Sequence, residues 1–115
     1  NSNTAAVRND FADRWIEAIT AKMLSYRVVN MQASGEVPNS EASIAKLFST
    51  ELSQRIARTA IKMLGLSGLR IDGDAPQRGR TGAGYVSSVS ATIAGGTSEI
   101  QRNIIATRGL GLPRA

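Results

Sequence analysis

The side chains of this sequence that could do chemistry cluster near its glycines. Asp72-Gly73-Asp74 sets two carboxylates two positions apart, as a calcium loop begins. The further acids and terminal glutamate of such a loop do not follow, so the segment reads as a turn. Gly65-Leu66-Ser67-Gly68 has the GXXG form that clamps a nucleic-acid backbone, but the strands of such a domain are missing. A helix C-cap followed by a turn fits those four residues better. No glycine precedes a Lys-Ser or Lys-Thr pair, which excludes a P-loop. Cysteine and histidine are both absent. That rules out a disulfide framework, a Cys/His zinc site, a thiol nucleophile and a Ser-His-Asp triad within the chain, and no metal site is expected. Paired carboxylates for acid–base work cannot be assigned from spacing alone.

What must position these residues is helical. Thr4 to Met31 reads as one long helix with Ala12, Ile16, Ile19, Met23 and Tyr26 recurring three or four residues apart. Phe11, Trp15 and Ala18 widen that face, which is expected to point inward, and Gly35 and Pro38 stop the helix. Asn39 or Ser40 can cap a second long helix, whose buried stripe should be Ile44, Phe48, Leu52, Ile56, Ala60 and Met63, with Gly65 as its stop. Residues 65–84 read as a glycine-rich loop, long for a small domain. Tyr85 to Ile93 reads as a short helix with Val86, Val89 and Ile93 inward, broken by Gly95-Gly96. Thr97 or Gly96 caps the last helix, with Glu99 in its first turn, an apolar edge of Ile100, Ile104 and Ile105, and Arg108 and Gly109 at its end. Two long and two shorter helices predict an all-α, up-and-down four-helix bundle.

Length and charge bound the rest. The 115 residues make one domain with one modest core. The net charge of +5 comes from 14 basic and 9 acidic residues spread along the chain, which suits solvated helix faces as well as a phosphate-bearing ligand. Aromatic residues are 4%, thin for the stacking platforms of single-strand binders, so nucleic acid is disfavoured as a partner. The apolar runs are too short for a membrane span or a signal-peptide core, and a cytoplasmic location is the expectation.

The most specific stretch is Gly95-Gly96-Thr97-Ser98-Glu99-Ile100-Gln101-Arg102-Asn103-Ile104-Ile105-Ala106, followed by Leu110-Gly111-Leu112-Pro113-Arg114. It closely resembles the C-terminal signature of acyl-CoA dehydrogenases. Glu41-Ala42-Ser43-Ile44-Ala45-Lys46-Leu47 resembles the start of the penultimate long helix of that family's C-terminal bundle. Ala60-Ile61-Lys62-Met63-Leu64-Gly65-Leu66-Ser67-Gly68 resembles its end and the glycine turn behind it. The resemblance runs from Phe11 to the C-terminus, leaving residues 70–84 unmatched. It implies an FAD enzyme with an N-terminal helical domain, a middle β-domain and a C-terminal bundle, of which residues 1–115 are the greater part of the last. The helix carrying an Arg/Gln-Phe-Gly flavin contact is expected before Asn1, so the chain alone should be inactive.

In that family a carboxylate takes the α-proton of an acyl-CoA while the β-hydrogen leaves as hydride to the flavin, the thioester carbonyl being polarised. In many members the base immediately precedes Gly-Thr; Gly95 stands there and cannot act. By resemblance, Thr97, Ser98 and Glu99 approach the flavin, and helix-start amides with a capping hydroxyl would suit its polar atoms. The same residues also cap and charge-balance the helix. Gly96 matches a residue lying against the thioester, where a glycine permits close approach. Lys62 and Gly65 fall in the stretch that reaches a partner subunit's FAD, with Lys62 where the family has Gln and Leu66 where it has a second Gly. The family's Arg-Asp pair is replaced by Val86 and Ser87.

Three readings stay open for the missing base: a carboxylate on an earlier helix, a silent subunit paired with an active one in a heteromeric dehydrogenase, or different flavin chemistry. The resemblance implies an acyl-CoA substrate, an electron-transfer acceptor and a homo- or hetero-oligomer. The competing class is a standalone basic helical module that binds nucleic acid or protein.

Overall fold

A computed structural model describes residues 2–114, with side chains from Ala5 onward. Four α-helices form, and no strand occurs among the described residues: α1 (Ser2–Ala33), α2 (Asn39–Leu64), α3 (Arg80–Ala91) and α4 (Ser98–Ile104). Short 3₁₀ turns at Gly65–Leu69 and Pro76–Gly79 bridge α2 to α3, and α4 runs on into a π-helical turn at Ile105–Gly109. The all-α expectation holds.

α1 and α2 run antiparallel, and two ion pairs fix their register. Lys62 Nζ meets Asp10 Oδ2 at 2.5 Å and Arg55 Nε meets Glu17 Oε1 at 3.1 Å, so seven residues forward along α1 match seven back along α2. α2 is the central column. Gln54 Nε2 donates to Thr92 Oγ1 just beyond α3, and the carbonyls of Leu69 and Arg70 lie against Gly82 of α3. α3 therefore covers the second half of α2. Gly109 packs on Ser40 and Lys46 reaches Gly96, which places α4 over the first half. The two short helices follow one another along the same neighbour.

The faces that pack differ from those the periodicity predicts. On α1, Ala18, Ala21, Leu24, Val28 and Met31 are half-buried towards α2. Phe11, Ile16, Ile19 and Met23 lie open beside Trp15 (63% exposed) and Tyr26 (52% exposed) on the opposite side. On α2, Leu52 is buried as expected, but Ile44, Ile56 and Met63 are exposed. On α3, Val86 (69% exposed), Val89 and Ile93 point outward, and Thr81, Gly82 and Ser88 make the contact. Thr81 and Ser88 face Ser53, Ile56 and Ala57 of α2, and Gly82 lets α3 approach the carbonyls of Leu69 and Arg70 in the connection closely. Among the described residues, Leu52 and Ala75 are the buried hydrophobic ones. An apolar face of α1, with Phe11, Trp15, Ile16 and Met23, is thus exposed.

Local boundaries also move. α3 begins at Arg80 rather than Tyr85, through Gly82 and Gly84, because tertiary contact overrides weak helix propensity there. A left-handed run at Gln77 (φ 54°), Arg78 (φ 56°) and Gly79 (φ 74°) turns the chain into it. Residues 65–84 are therefore an organised connection instead of an open loop. Pro38 occupies the N-cap of α2, so neither Asn39 nor Ser40 caps it, and the Ser40 hydroxyl donates to Glu41. Asp72 sits in the connection as a turn residue: Oδ1 accepts from the Asp74 amide at 3.1 Å and Arg70 pairs with it at 2.6 Å.

Candidate functional site

The site is built around the turn that joins α3 to α4. α3 frays out through hydrogen bonds from Ile93 and Ala94 to the Ser90 carbonyl, and Gly95 (φ 68°) and Gly96 (φ 97°) then reverse the chain. Such dihedrals strain any residue with a Cβ. Thr97 follows in extended conformation, and its Oγ1 accepts from the Ile100 amide at 3.2 Å, the capping bond expected of it. Ser98 is buried and its amide donates to the Thr92 carbonyl at 3.1 Å, pinning the helix start back onto the end of α3.

Two side chains hold the carbonyls of the glycine pair. Lys46 Nζ, from α2, donates to Gly96 O at 2.5 Å. Gln101 Nε2, one turn into α4 and buried, donates to Gly95 O at 3.0 Å. The amides of Gly96 and Thr97 have no hydrogen-bond partner among the described residues. Beside the turn, Arg102 Nη2 pairs with Glu51 Oε1 at 2.6 Å, and Gln54 bonds Thr92. A polar groove of about 330 Å³ runs between them, lined by Gln54, Arg58, Ser98 and Glu99 among others. The Glu99 carboxyl is held below the ordinary carboxylate range, first by its own backbone amide, then by the Thr97 hydroxyl, with a smaller contribution from Arg102.

Gly95, Gly96, Thr97, Ser98 and Glu99 thus come together as one bare-backbone edge with a hydroxyl and a carboxylate. Lys62 and Gly65 do not join them. Lys62 lies sixteen residues beyond Lys46 on the same helix, about 24 Å at the helical rise, and is paired with Asp10. Gly65 (φ 59°) turns the chain at that far end of α2. In the sequence, Lys46 and Gln101 stand out only as members of the Glu41–Leu47 and Gly95–Ala106 segments, with no role of their own. Nothing in their local spacing marks them, since both act on carbonyls of a turn that only the fold brings near.

The glycine turn carries no side chain that could reach over a flat ring or a thioester, and a Cβ at Gly95 would meet nothing closer than Lys46 Cε at 4.0 Å. The free amides of Gly96 and Thr97 are donors fit for the polar atoms of a flavin or of an acyl thioester, while the Cβ side of Gly96 is taken by Gln101 Nε2 at 2.6 Å. Gly95, at the position before Gly-Thr, brings no base.

The family model described as acyl-CoA dehydrogenase, C-terminal domain, matches residues 2–110. Acyl-CoA dehydrogenase FadE26 of Mycobacterium tuberculosis is 35% identical over 105 residues, which cover 86% of this chain and 26% of that protein. Acyl-CoA dehydrogenase IpdE1 of Mycolicibacterium smegmatis is 37% identical over 93 residues, covering 80% of this chain and 22% of its own. Among solved structures, the Tcur3481-Tcur3483 steroid ACAD superposes with a TM-score of 0.87 at 26% identity, over 95% of this chain and 29% of that one. The ChsE4-ChsE5 complex from Mycobacterium tuberculosis gives 0.84 at 34% identity, again over 95% and 29%. The chain therefore spans between a fifth and a third of the length of each protein it matches.

Proposed function

The chain belongs to the acyl-CoA dehydrogenase family, within its C-terminal helical domain, and on that premise we propose that it completes the flavin and thioester pocket of a larger FAD-dependent enzyme. The reaction would be α,β-dehydrogenation of an acyl-CoA: a carboxylate takes the α-proton and the β-hydrogen leaves as hydride. FAD, when bound, supplies the hydride acceptor, and the electrons pass to a separate acceptor protein. The observation that carries this reading is the turn at Gly95-Gly96, open at its backbone and capped by Thr97. Thr97, Ser98 and Glu99 would meet the flavin, and Gly96 would let the thioester approach.

The distance of about 24 Å between Lys46 and Lys62 along α2 supports a division of labour between two cofactors. Lys62 and Gly65 would then serve a partner subunit's FAD, Lys62 exchanging Asp10 for a pyrophosphate as a point charge. The exposed face of Phe11, Trp15, Ile16 and Met23 would pack against the remainder of the longer protein. Gly95 at the base position asks for a carboxylate from elsewhere, most simply on an earlier helix.

A second reading has its own support. A glycine at that position, together with the likeness to the ChsE4-ChsE5 complex, also suits a subunit that lacks a base and assembles with an active one. Ring-bearing acyl-CoA thioesters, suggested by the steroid ACAD likeness, belong among the substrates tested.

The test is to express the complete open reading frame that contains this chain, alone and with a second dehydrogenase subunit from the same genome. Bound FAD that is bleached anaerobically by straight-chain or steroid acyl-CoA is expected. Bleaching only after co-expression selects the heteromeric reading. A flavin-free protein in every combination, with salt-steep affinity for DNA or RNA, would overturn both in favour of the binding module.

A further inference from the structure

We infer that Lys46 is a positioning residue for the turn, acting through the Gly96 carbonyl. A trans peptide holds its C=O and the following N–H on opposite sides, and no cis peptide occurs among the described residues. Fixing the Gly96 carbonyl on Lys46 therefore turns the Thr97 amide away from the Lys46 ammonium, and fixing the Gly95 carbonyl on Gln101 turns the Gly96 amide away from the Gln101 side chain. Both glycines are at positive φ, so nothing in their own side chains restrains them. Without the clamp each peptide could rotate and present its oxygen where the donor now stands.

The two clamps are not equivalent. Gln101 belongs to α4 and moves with the turn it holds. Lys46 belongs to the central helix, so it ties the glycine pair itself to the body of the domain, where Gln54–Thr92 and Glu51–Arg102 hold only the residues on either side. Lys46 is half-buried, and its Cε passes 4.0 Å from the position a Cβ would take on Gly95. A charged donor on a carbonyl is stronger than a neutral one. Lys46 thereby sets where the turn sits relative to α2, and Gln101 sets its internal shape.

The inference rests on the proposed function only for what the turn faces; the clamp itself is independent of it. The test uses the full-length flavoprotein and compares wild type with Lys46→Met and Lys46→Arg. Hydrogen exchange of the Ser98 amide, which closes the turn on the Thr92 carbonyl, should be about ten- to hundredfold faster in Lys46→Met, with Lys46→Arg close to wild type. In turnover with a bleaching acyl-CoA, Lys46→Met should lower kcat by at least about tenfold and leave KM and flavin content near wild type, again rescued by arginine. A Lys46→Met protein with unchanged exchange at the turn overturns the inference, and so does faster exchange with unchanged kcat. Should Lys46→Met lose flavin, Lys46→Gln, which keeps a shorter neutral donor, is read in its place against the same two criteria. A wild type that no acyl-CoA reduces would sink the proposed function, while exchange at the turn would still decide the role of Lys46.

Discussion

Gln101 closes back onto the cap of its own helix: its Nε2 donates to the Gly95 carbonyl at 3.0 Å and lies 2.6 Å from where a Cβ on Gly96 would stand. One side chain thus both needs the turn and forbids a larger residue in it. Gly96→Ala meets two penalties, the φ of 97° and displacement of that amide from its bond. The amide is the end of a flexible side chain and can retreat, so the cost should stop at about 1–3 kcal/mol. Thermal unfolding of the full-length protein checks it; a variant as stable as wild type would show that the bond does not form.

Gly79 is the harsher case. A Cβ there would lie 2.5 Å from the carbonyl carbon and oxygen of Ile71, which are backbone and cannot step aside, and φ is 74°. Gly79→Ala should cost about 3 kcal/mol or more, since strain and overpacking add. Gly73, with open space around it and no positive φ, is the control. Gly73→Ala should stay within about 0.5 kcal/mol of wild type. Denaturant midpoints of the two variants separate the readings.

Glu17 carries two arginines. Arg14 Nε lies 2.7 Å from its Oε2 and Arg55 Nε 3.1 Å from its Oε1, all three half-buried between α1 and α2. Glu17→Ala would strand both cations, at a cost of about 1–2 kcal/mol after discounting for their partial exposure. Asp10→Ala breaks a bond to the exposed Lys62 and should cost at most about 0.5 kcal/mol. Equal losses in the two variants would show that Glu17 is no more than a surface partner.

The Glu99 carboxyl titrates below its ordinary value because its own amide and the Thr97 hydroxyl favour the charged form. A depressed folded pKa stabilises above the unfolded value near 4.5 and loses that contribution as pH falls through the folded one. The effect is therefore confined to acid. Thr97→Val removes the hydroxyl, and the Glu99 carboxyl resonance should then titrate closer to its ordinary value. Losing the cap should also destabilise the protein by about 1 kcal/mol at neutral pH. An unmoved Glu99 titration would assign the shift to the backbone alone.

Helix existence and the cap at Thr97 were legible in the sequence because both rest on local chemistry: periodicity, glycine stops and a hydroxyl before a helix. The side each helix buries was not. Periodicity on α1 marks Phe11, Trp15, Ile16, Ile19 and Met23 as a contact face, and the contact available within this chain lies on the other side. An apolar stripe says that something packs there, without saying whether it is in the same segment. The site divides the same way. Gly95 to Glu99 are contiguous and could be read off the motif, whereas Lys46 and Gln101 act at a turn fifty and six residues away from the carbonyls they bind.

Gly95 itself offers the sharpest division between the readings of the whole protein. Its φ of 68° tolerates a side chain at a cost of about 1–2 kcal/mol, and the space beyond its Cα is open. Gly95→Glu would therefore fold and put a carboxylate at the position where many relatives of the family keep their base. It would also place that carboxylate beside Lys46, close enough to compete with the Gly96 carbonyl for the ammonium. With a base already on an earlier helix, the new carboxylate adds nothing and disturbs the clamp, so acyl-CoA-dependent bleaching of the flavin should slow. That is the expected outcome in the full-length protein, read by anaerobic stopped-flow. A large gain in the bleaching rate would mean that the pocket lacked only its base, and would move the chain from the active subunits of this family to the silent ones.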